Sequence, residues 1–241
     1  MTTRADVDRL TAAQRRIVTL ARADLEEFFA SLNLASPEAA REALLEYAPI
    51  LVAEYGEASA AVAAEWYEEV RAREVGGRYT ARVGGLTPDD AVRGGVRYAA
   101  GHLWTESPEL TIAVLSGAIQ RYIAYGGRDA VARNVATDPA RPRYARVPAG
   151  RTTCAFCTML ASRGFVYHSE ADAQRRGRNQ TQDKYHDDCD CQVVMSWDRD
   201  RPHIEGYDPD AMYEMYLAAR GDDHFATDEI LARMRDLYGL A

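Results

Sequence analysis

Cys154-Ala155-Phe156-Cys157 and, farther along, His186-Asp187-Asp188-Cys189-Asp190-Cys191 together contain all four cysteines of this 241-residue chain. Thiols in two close pairs with a histidine beside one of them are typical of a zinc site built from two halves distant in sequence. Zinc takes four ligands in a tetrahedron, and five candidates are present: Cys154, Cys157, His186, Cys189 and Cys191. Either all four cysteines bind and His186 supports them, or His186 replaces one thiolate.

The spacing within each half has a geometric reason. Residues three apart lie on one face of a helix, so Cys154 and Cys157 can both point at one ion from a first helical turn. A helix N-terminus also favours thiolate over thiol. Cys189 and Cys191 are two apart, which places their side chains on the same side of a strand. We therefore predict that zinc ties a helix at Cys154 to a strand at Cys191.

The cysteines allow three other interpretations. Disulfides would require an oxidising compartment, and the polar start of the chain, from Met1 to Asp8, does not resemble an export signal. A thioredoxin-like dithiol would follow a strand, yet the segment before Cys154 contains Pro148 and Gly150. Buried thiols without a metal are the third possibility, because free cysteine is often buried. A metal site explains the clustering best.

The composition is that of a soluble globular chain, with 47% hydrophobic and 27% charged residues. No apolar run is long enough to cross a bilayer, so no membrane partner is expected. The net charge of −8 argues against a protein that coats nucleic acid over its whole surface. The stretch from Arg141 to Lys184 is nevertheless locally basic. Within it, Arg175, Arg176 and Arg178 are candidates for contact with DNA phosphate, the alternative being a solvated loop.

The first half of the sequence has helical periodicity. The pattern predicts a first helix with a capping box at Thr11, or an earlier start near Asp6. Further helices are expected after Ser36-Pro37, Thr87-Pro88 and Ser107-Pro108. Pro49 or Gly56 is expected to bend or break the second helix, and Gly126-Gly127 to end or interrupt the fourth.

The helical periodicity ends at Pro139 and Pro142, because proline cannot continue a helix. Three short β-like runs follow, at Tyr144–Val147, Gly164–Tyr167 and Gln192–Trp197. A small helix is expected near Cys154–Ser162, and two more at Asp208–Arg220 and Asp228–Leu237. The predicted fold class is α+β, in three regions: a helical region at 1–136, a small zinc-stapled α+β domain at 137–200, and C-terminal helices at 201–241.

The cysteine region resembles the MuF-like minor head proteins of tailed bacteriophages. The matching residues are Thr153–Cys157, Gly164–Tyr167 and His186–Val194, and the resemblance covers roughly residues 120–200. The second motif of that family is commonly His-Pro-Asn-Cys-Arg-Cys. In this chain Asp187-Asp188 replace Pro-Asn and Asp190 replaces Arg, which removes a cation from the motif.

The resemblance implies a virion protein in the capsid interior near the portal, present in the host cytoplasm during assembly. Its expected partners are the portal protein, the major capsid or scaffold protein, and packaged DNA. Its expected role is in head assembly and in genome packaging or delivery.

Two enzymatic alternatives remain beside this structural role. Related chains are also described as capsid maturation proteases, and Ser162, His168 and Ser169 could supply a nucleophile and base. No Gly-x-Ser-x-Gly elbow is present to expose such a serine. An HNH-like nuclease could use His186 and Asp187 at a second metal. A closed zinc site offers water no open position, so a structural protein is favoured over an enzyme.

Overall fold

The computed structural model describes residues 1–150, 153–167, 187, 189, 191–198, 200, 202–221 and 225–241. Long helices are followed by a two-stranded antiparallel sheet and two short helices, so the predicted helical α+β class is confirmed. The elements are α1 (Arg4–Ala30), α2 (Pro37–Glu74), α3 (Asp89–Ala99) with a 3-10 turn (Ala100–Trp104), α4 (Leu110–Thr137), β1 (Arg143–Val147), α5 (Ala155–Ala161), β2 (Gln192–Ser196), α6 (Pro209–Arg220) and α7 (Thr227–Tyr238). The three-region division remains a prediction. None of the described helices is long and apolar enough to cross a membrane.

Helix α1 begins earlier than the capping box at Thr11 predicted. Thr3 is its N-cap: the Thr3 hydroxyl accepts a hydrogen bond from the Asp6 N–H, and the Asp6 carboxylate accepts one from the Thr3 N–H at 2.9 Å. Thr11 lies inside the helix, where its hydroxyl donates to the Val7 carbonyl oxygen at 2.8 Å. The alternative start near Asp6 is therefore correct, because a second capping box lies two turns upstream.

The glycines expected to break helices instead mark the place where two helices touch. Helix α2 runs through Pro49 and Gly56, and α4 runs through Gly126 and Gly127. A Cβ built on Gly126 would lie 2.5 Å from the carbonyl oxygen of Gly56. Such a separation is possible only without a side chain. The predicted breaks are therefore not found, because close packing of α2 on α4 outweighs the low helix propensity of glycine.

The sheet is buried on both faces. Strands β1 and β2 pair with Tyr144 opposite Met195, and all ten positions except Arg143 are buried. The sheet shares one hydrophobic cluster with the N-terminal part of α1, the end of α2 and the end of α4. A second cluster joins the rest of α1, α2 and α4 to α3. The third predicted strand, Gly164–Tyr167, forms one bridge from Tyr167 to Tyr144 in the described part of the chain. It turns instead, because Gly164 has φ +63° and the Val166 N–H donates to the Gly164 carbonyl oxygen at 3.0 Å.

A buried ion pair fixes the connection from α4 to the sheet. Asp138, directly after α4, accepts hydrogen bonds from the Arg71 guanidinium at 2.8 Å and the Tyr67 hydroxyl at 2.9 Å. Its other oxygen accepts from the Ala140 N–H at 2.8 Å. Burial alone would raise the pKa of Asp138, but these three bonds to the charged carboxylate lower it. The chain is thereby anchored to α2 just before β1 begins.

Candidate metal centre

The first half of the centre is built on the start of α5. Cys154 is the N-cap residue of this helix, and its Sγ accepts a hydrogen bond from the Cys157 N–H at 3.3 Å. Cys157 follows within the first turn and is buried, whereas Cys154 is half-buried. The predicted helical placement of this pair is therefore found. A backbone N–H donated to sulfur favours the thiolate that a metal requires.

The second half lies where the chain enters β2. Cys189 and Cys191 are 5% and 2% exposed, and Cys191 directly precedes the strand. The Arg128 guanidinium on α4 donates to the carbonyl oxygen of Cys189 at 2.6 Å and to that of Cys191 at 3.1 Å. These two bonds hold the approach to the strand against α4, with both thiols turned toward α5.

Three buried thiols meet between these two halves. The Sγ atoms of Cys157, Cys189 and Cys191 all lie within 4.8 Å of one another, and Cys157 Sγ is 3.3 Å from Cys189 Sγ. None of the four cysteines forms a disulfide. In a tetrahedral site with Zn–S bonds of about 2.3 Å, neighbouring sulfurs are roughly 3.8 Å apart. The three cysteines are thus placed to bind a metal ion, and Cys154 packs against them.

The structure describes four of the five predicted metal ligands and brings three of them within reach of one ion. It brings Cys157, Cys189 and Cys191 together with Cys154 beside them, while His186 lies outside the described residues. Its neighbour Asp187 pairs with Arg121 of α4, the Oδ1 and Nε atoms being 3.2 Å apart. Both candidates for a fourth ligand, Cys154 and His186, therefore stay open.

Contacts among the thiols shift their pKa values in opposite directions. Hydrogen bonds to the sulfurs of Cys154, Cys189 and Cys191, together with burial, raise the pKa of the Cys157 thiol. Hydrogen bonds from the thiols of Cys157 and Cys191, helped by the charge of Arg128, lower the pKa of Cys189. A bound metal ion would take the place of the shared thiol protons, since metal ligands are deprotonated.

Arg128 is the residue of the centre that sequence reasoning missed. It is 4% exposed in the middle of a helix that is otherwise largely apolar. The signal was present in Gly126-Gly127-Arg128-Asp129, a charged pair within an apolar helical stretch. A buried charge requires partners, and those of Arg128 lie more than 60 residues away in sequence.

The residues considered for enzymatic roles give no assembled site within the described chain. The Ser162 hydroxyl donates to the Met159 carbonyl oxygen at 2.8 Å, at the end of α5. His168 and Ser169 lie outside the described residues, as do Arg175, Arg176 and Arg178. The Asp187 carboxylate, considered for a nuclease metal, is paired with Arg121 as described above.

The fold and the site define a class: a helical α+β protein with a small sheet tied to a helix by clustered cysteines. The chain belongs to the VG15 protein family, whose sequence profile matches residues 1–219. It is similar to the Gene 15 protein of Mycobacterium phage D29, with 33% identity over 119 residues. That match covers 39% of this chain and 43% of the phage protein, less than half of either. No solved structure matches the chain. The finer likeness to MuF-like proteins remains a prediction.

Proposed function

We propose that this chain is a minor head protein of a tailed phage, located in the capsid interior near the portal, whose small sheet is stabilised by a structural zinc ion. Membership of the VG15 family and similarity to a mycobacteriophage protein support the phage assignment. The observation that carries the structural role is the cluster of Cys157, Cys189 and Cys191, which joins α5 to β2. A protein with this role positions surfaces for assembly and needs no reactive centre.

The donor set fits zinc. Thiolates are soft ligands that select zinc over magnesium or calcium. Cys157, Cys189 and Cys191 would supply three ligands, with Cys154 or His186 as the fourth. A four-ligand site buried in this way leaves no position for a substrate water, which is the difference between structural and catalytic zinc sites. Arg128 would offset part of the negative charge of the thiolates. The ion would hold two segments that the short sheet alone holds weakly.

The place in the particle follows from the resemblance to MuF-like proteins. On that basis the chain assembles in the host cytoplasm with the portal protein and with the major capsid or scaffold protein, and it acts in genome packaging or delivery. The basic insert with Arg175, Arg176 and Arg178 would contact packaged DNA.

The assignment is tested on purified particles. Cross-linking followed by mass spectrometry should recover this chain in few copies per head, joined to the portal protein, and immunogold labelling of opened heads should mark one vertex. Absence of the chain from particles that contain the portal protein would contradict the assignment. Cleavage of capsid protein by the purified chain, abolished by Ser162→Ala, would favour the protease instead.

A further inference from the structure

A pocket of about 260 Å³ lies beside the cysteine centre. One face of α1 forms one wall and α4 forms another, while Cys189 and Gln192 close it from the β2 side. Arg128 belongs to both features: it lines the pocket and also binds the backbone of the two cysteines. Cys189 is shared by the pocket and the centre, whereas Cys154, Cys157 and Cys191 do not line the pocket.

The lining is rich in cations and amide groups. Arg15 and Arg22 lie on the same face of α1, seven residues or about two turns apart, and Arg128 faces them from α4. Gln14, Gln120 and Gln192 add three amides. Among the described residues that line the pocket there is no carboxylate. Three positive charges are therefore concentrated at one cavity of a chain whose net charge is −8.

The polar residues that line the pocket differ in burial. Gln14 and Arg128 are each 4% exposed and form the inner part, whereas Arg15 is exposed and Arg22 half-buried at the mouth. The Gln14 amide nitrogen is fully buried against Gly127, so it is closed to a ligand. The charged groups of the lining therefore carry the site.

We propose that this pocket binds a tetrahedral oxyanion of the phosphate class. Arginine forks bind such anions through paired charge-assisted hydrogen bonds. The pocket volume is large enough for one partly hydrated phosphate group and lies at the small end of the range for ordinary ligand sites. Arg15 and Arg22 bind the anion at the mouth. The Arg128 guanidinium, whose Nε and Nη2 donate to Cys191 and Cys189, contributes positive charge behind it. The site does not depend on the bound zinc proposed above.

Calorimetric titration of the full chain with sodium phosphate, at constant ionic strength, tests this site. The wild type should bind one phosphate per chain. The double variant Arg15→Gln/Arg22→Gln should bind at least tenfold more weakly, because both residues at the mouth lose their charge. The matched control Arg16→Gln/Arg97→Gln removes two exposed arginines outside the pocket and should stay within twofold of wild type. No binding by the wild type, or equal weakening in both double variants, would overturn the proposal.

Two added measurements identify the source of the anion and separate this site from the metal centre. A short DNA duplex should displace phosphate if the natural ligand is a phosphodiester, whereas free phosphate is the ligand if the duplex does not compete. Circular dichroism and zinc content of Arg15→Gln/Arg22→Gln should equal those of wild type. Loss of phosphate binding with zinc retained supports the pocket, and loss of the fold or of zinc together with phosphate binding contradicts an independent site.

Discussion

Arg128 donates a hydrogen bond to the backbone carbonyl oxygen of Cys189 at 2.6 Å, although the two residues are 61 positions apart in sequence. The same guanidinium reaches Cys191 at 3.1 Å. The planar guanidinium can hold two carbonyls at once, so one buried side chain fixes the backbone that carries two of the thiols. The geometry of the centre therefore depends on α4 as well as on the residues that would bind the ion.

Replacing Arg128 should damage the centre without removing any thiol. Arg128→Met keeps an unbranched apolar stem but removes the guanidinium and with it both bonds, each worth about 1.5–3 kcal/mol when the donor is charged. We expect the free energy of unfolding to fall by about 3–6 kcal/mol. Zinc affinity should fall roughly 10- to 100-fold, as for other residues that orient metal ligands. Denaturation and competition with a zinc chelator measure the two effects. The control variant Arg16→Met changes an exposed position of α1 and should alter stability by less than about 0.5 kcal/mol. An equal loss of stability in both variants would refute the role given to Arg128.

The elements that sequence predicted well are those with local signals. Most of the capped helices and two of the three short β runs were found close to the expected bounds, because periodicity and capping chemistry are local properties. The cysteine spacing likewise predicted the helix at Cys154, whereas Cys189 and Cys191 precede β2 and do not lie on the strand. Arg128 and the Gly56–Gly126 contact were not predicted, because each gains its meaning from a partner far away in sequence.

Adding a methyl group to a glycine should have opposite effects on stability at the α2–α4 contact and at an open helical position. Gly126→Ala should destabilise the protein by about 1–3 kcal/mol, because its Cβ would press on the backbone of α2 and neither helix can move without disturbing the core. Gly94→Ala in α3, where nothing lies within 4 Å of the added Cβ, should stabilise by about 0.4–1 kcal/mol through lower entropy of the unfolded chain. Chemical denaturation of both variants provides the measurement. Stabilisation by both substitutions would mean that α2 and α4 do not approach as described.

Asp138 should make stability depend on acid pH. Because its pKa is lowered in the folded protein, its contribution is fully present well above the unfolded pKa of about 3.9 and is lost as pH falls through the lower folded value. Asp138→Asn leaves the Arg71 charge without its anion and should cost about 3 kcal/mol at pH 7. The difference from wild type should shrink below about pH 4. The control variant Glu42→Gln removes an exposed ion pair and should lower the free energy of unfolding by at most about 1 kcal/mol. A loss of stability in Asp138→Asn that does not change with pH would contradict the role given to Asp138.

The basic insert should reveal itself in the salt dependence of DNA binding. Reversing the charge of Arg175, Arg176 and Arg178 together should weaken DNA binding more at low salt than at high salt. Each lost phosphate contact lowers the slope of log affinity against log salt by somewhat under one unit, so the slope should decrease by about two to three. Filter binding over a salt series gives the slope, with Arg16→Glu/Arg97→Glu as a control outside the insert. Equal slopes for wild type and the triple variant would leave the insert as a solvated loop.

Zinc content of the purified chain tests the central claim most directly. Native mass spectrometry with elemental analysis should find about one zinc per chain, and Cys157→Ser, Cys189→Ser and Cys191→Ser should each lose it together with the order of the sheet. Comparing Cys154→Ser with His186→Ala identifies the fourth ligand, because the variant that lacks it loses zinc and the other retains it. A folded wild-type chain that contains no metal, and whose stability is unaffected by added zinc or by a chelator, would contradict the account.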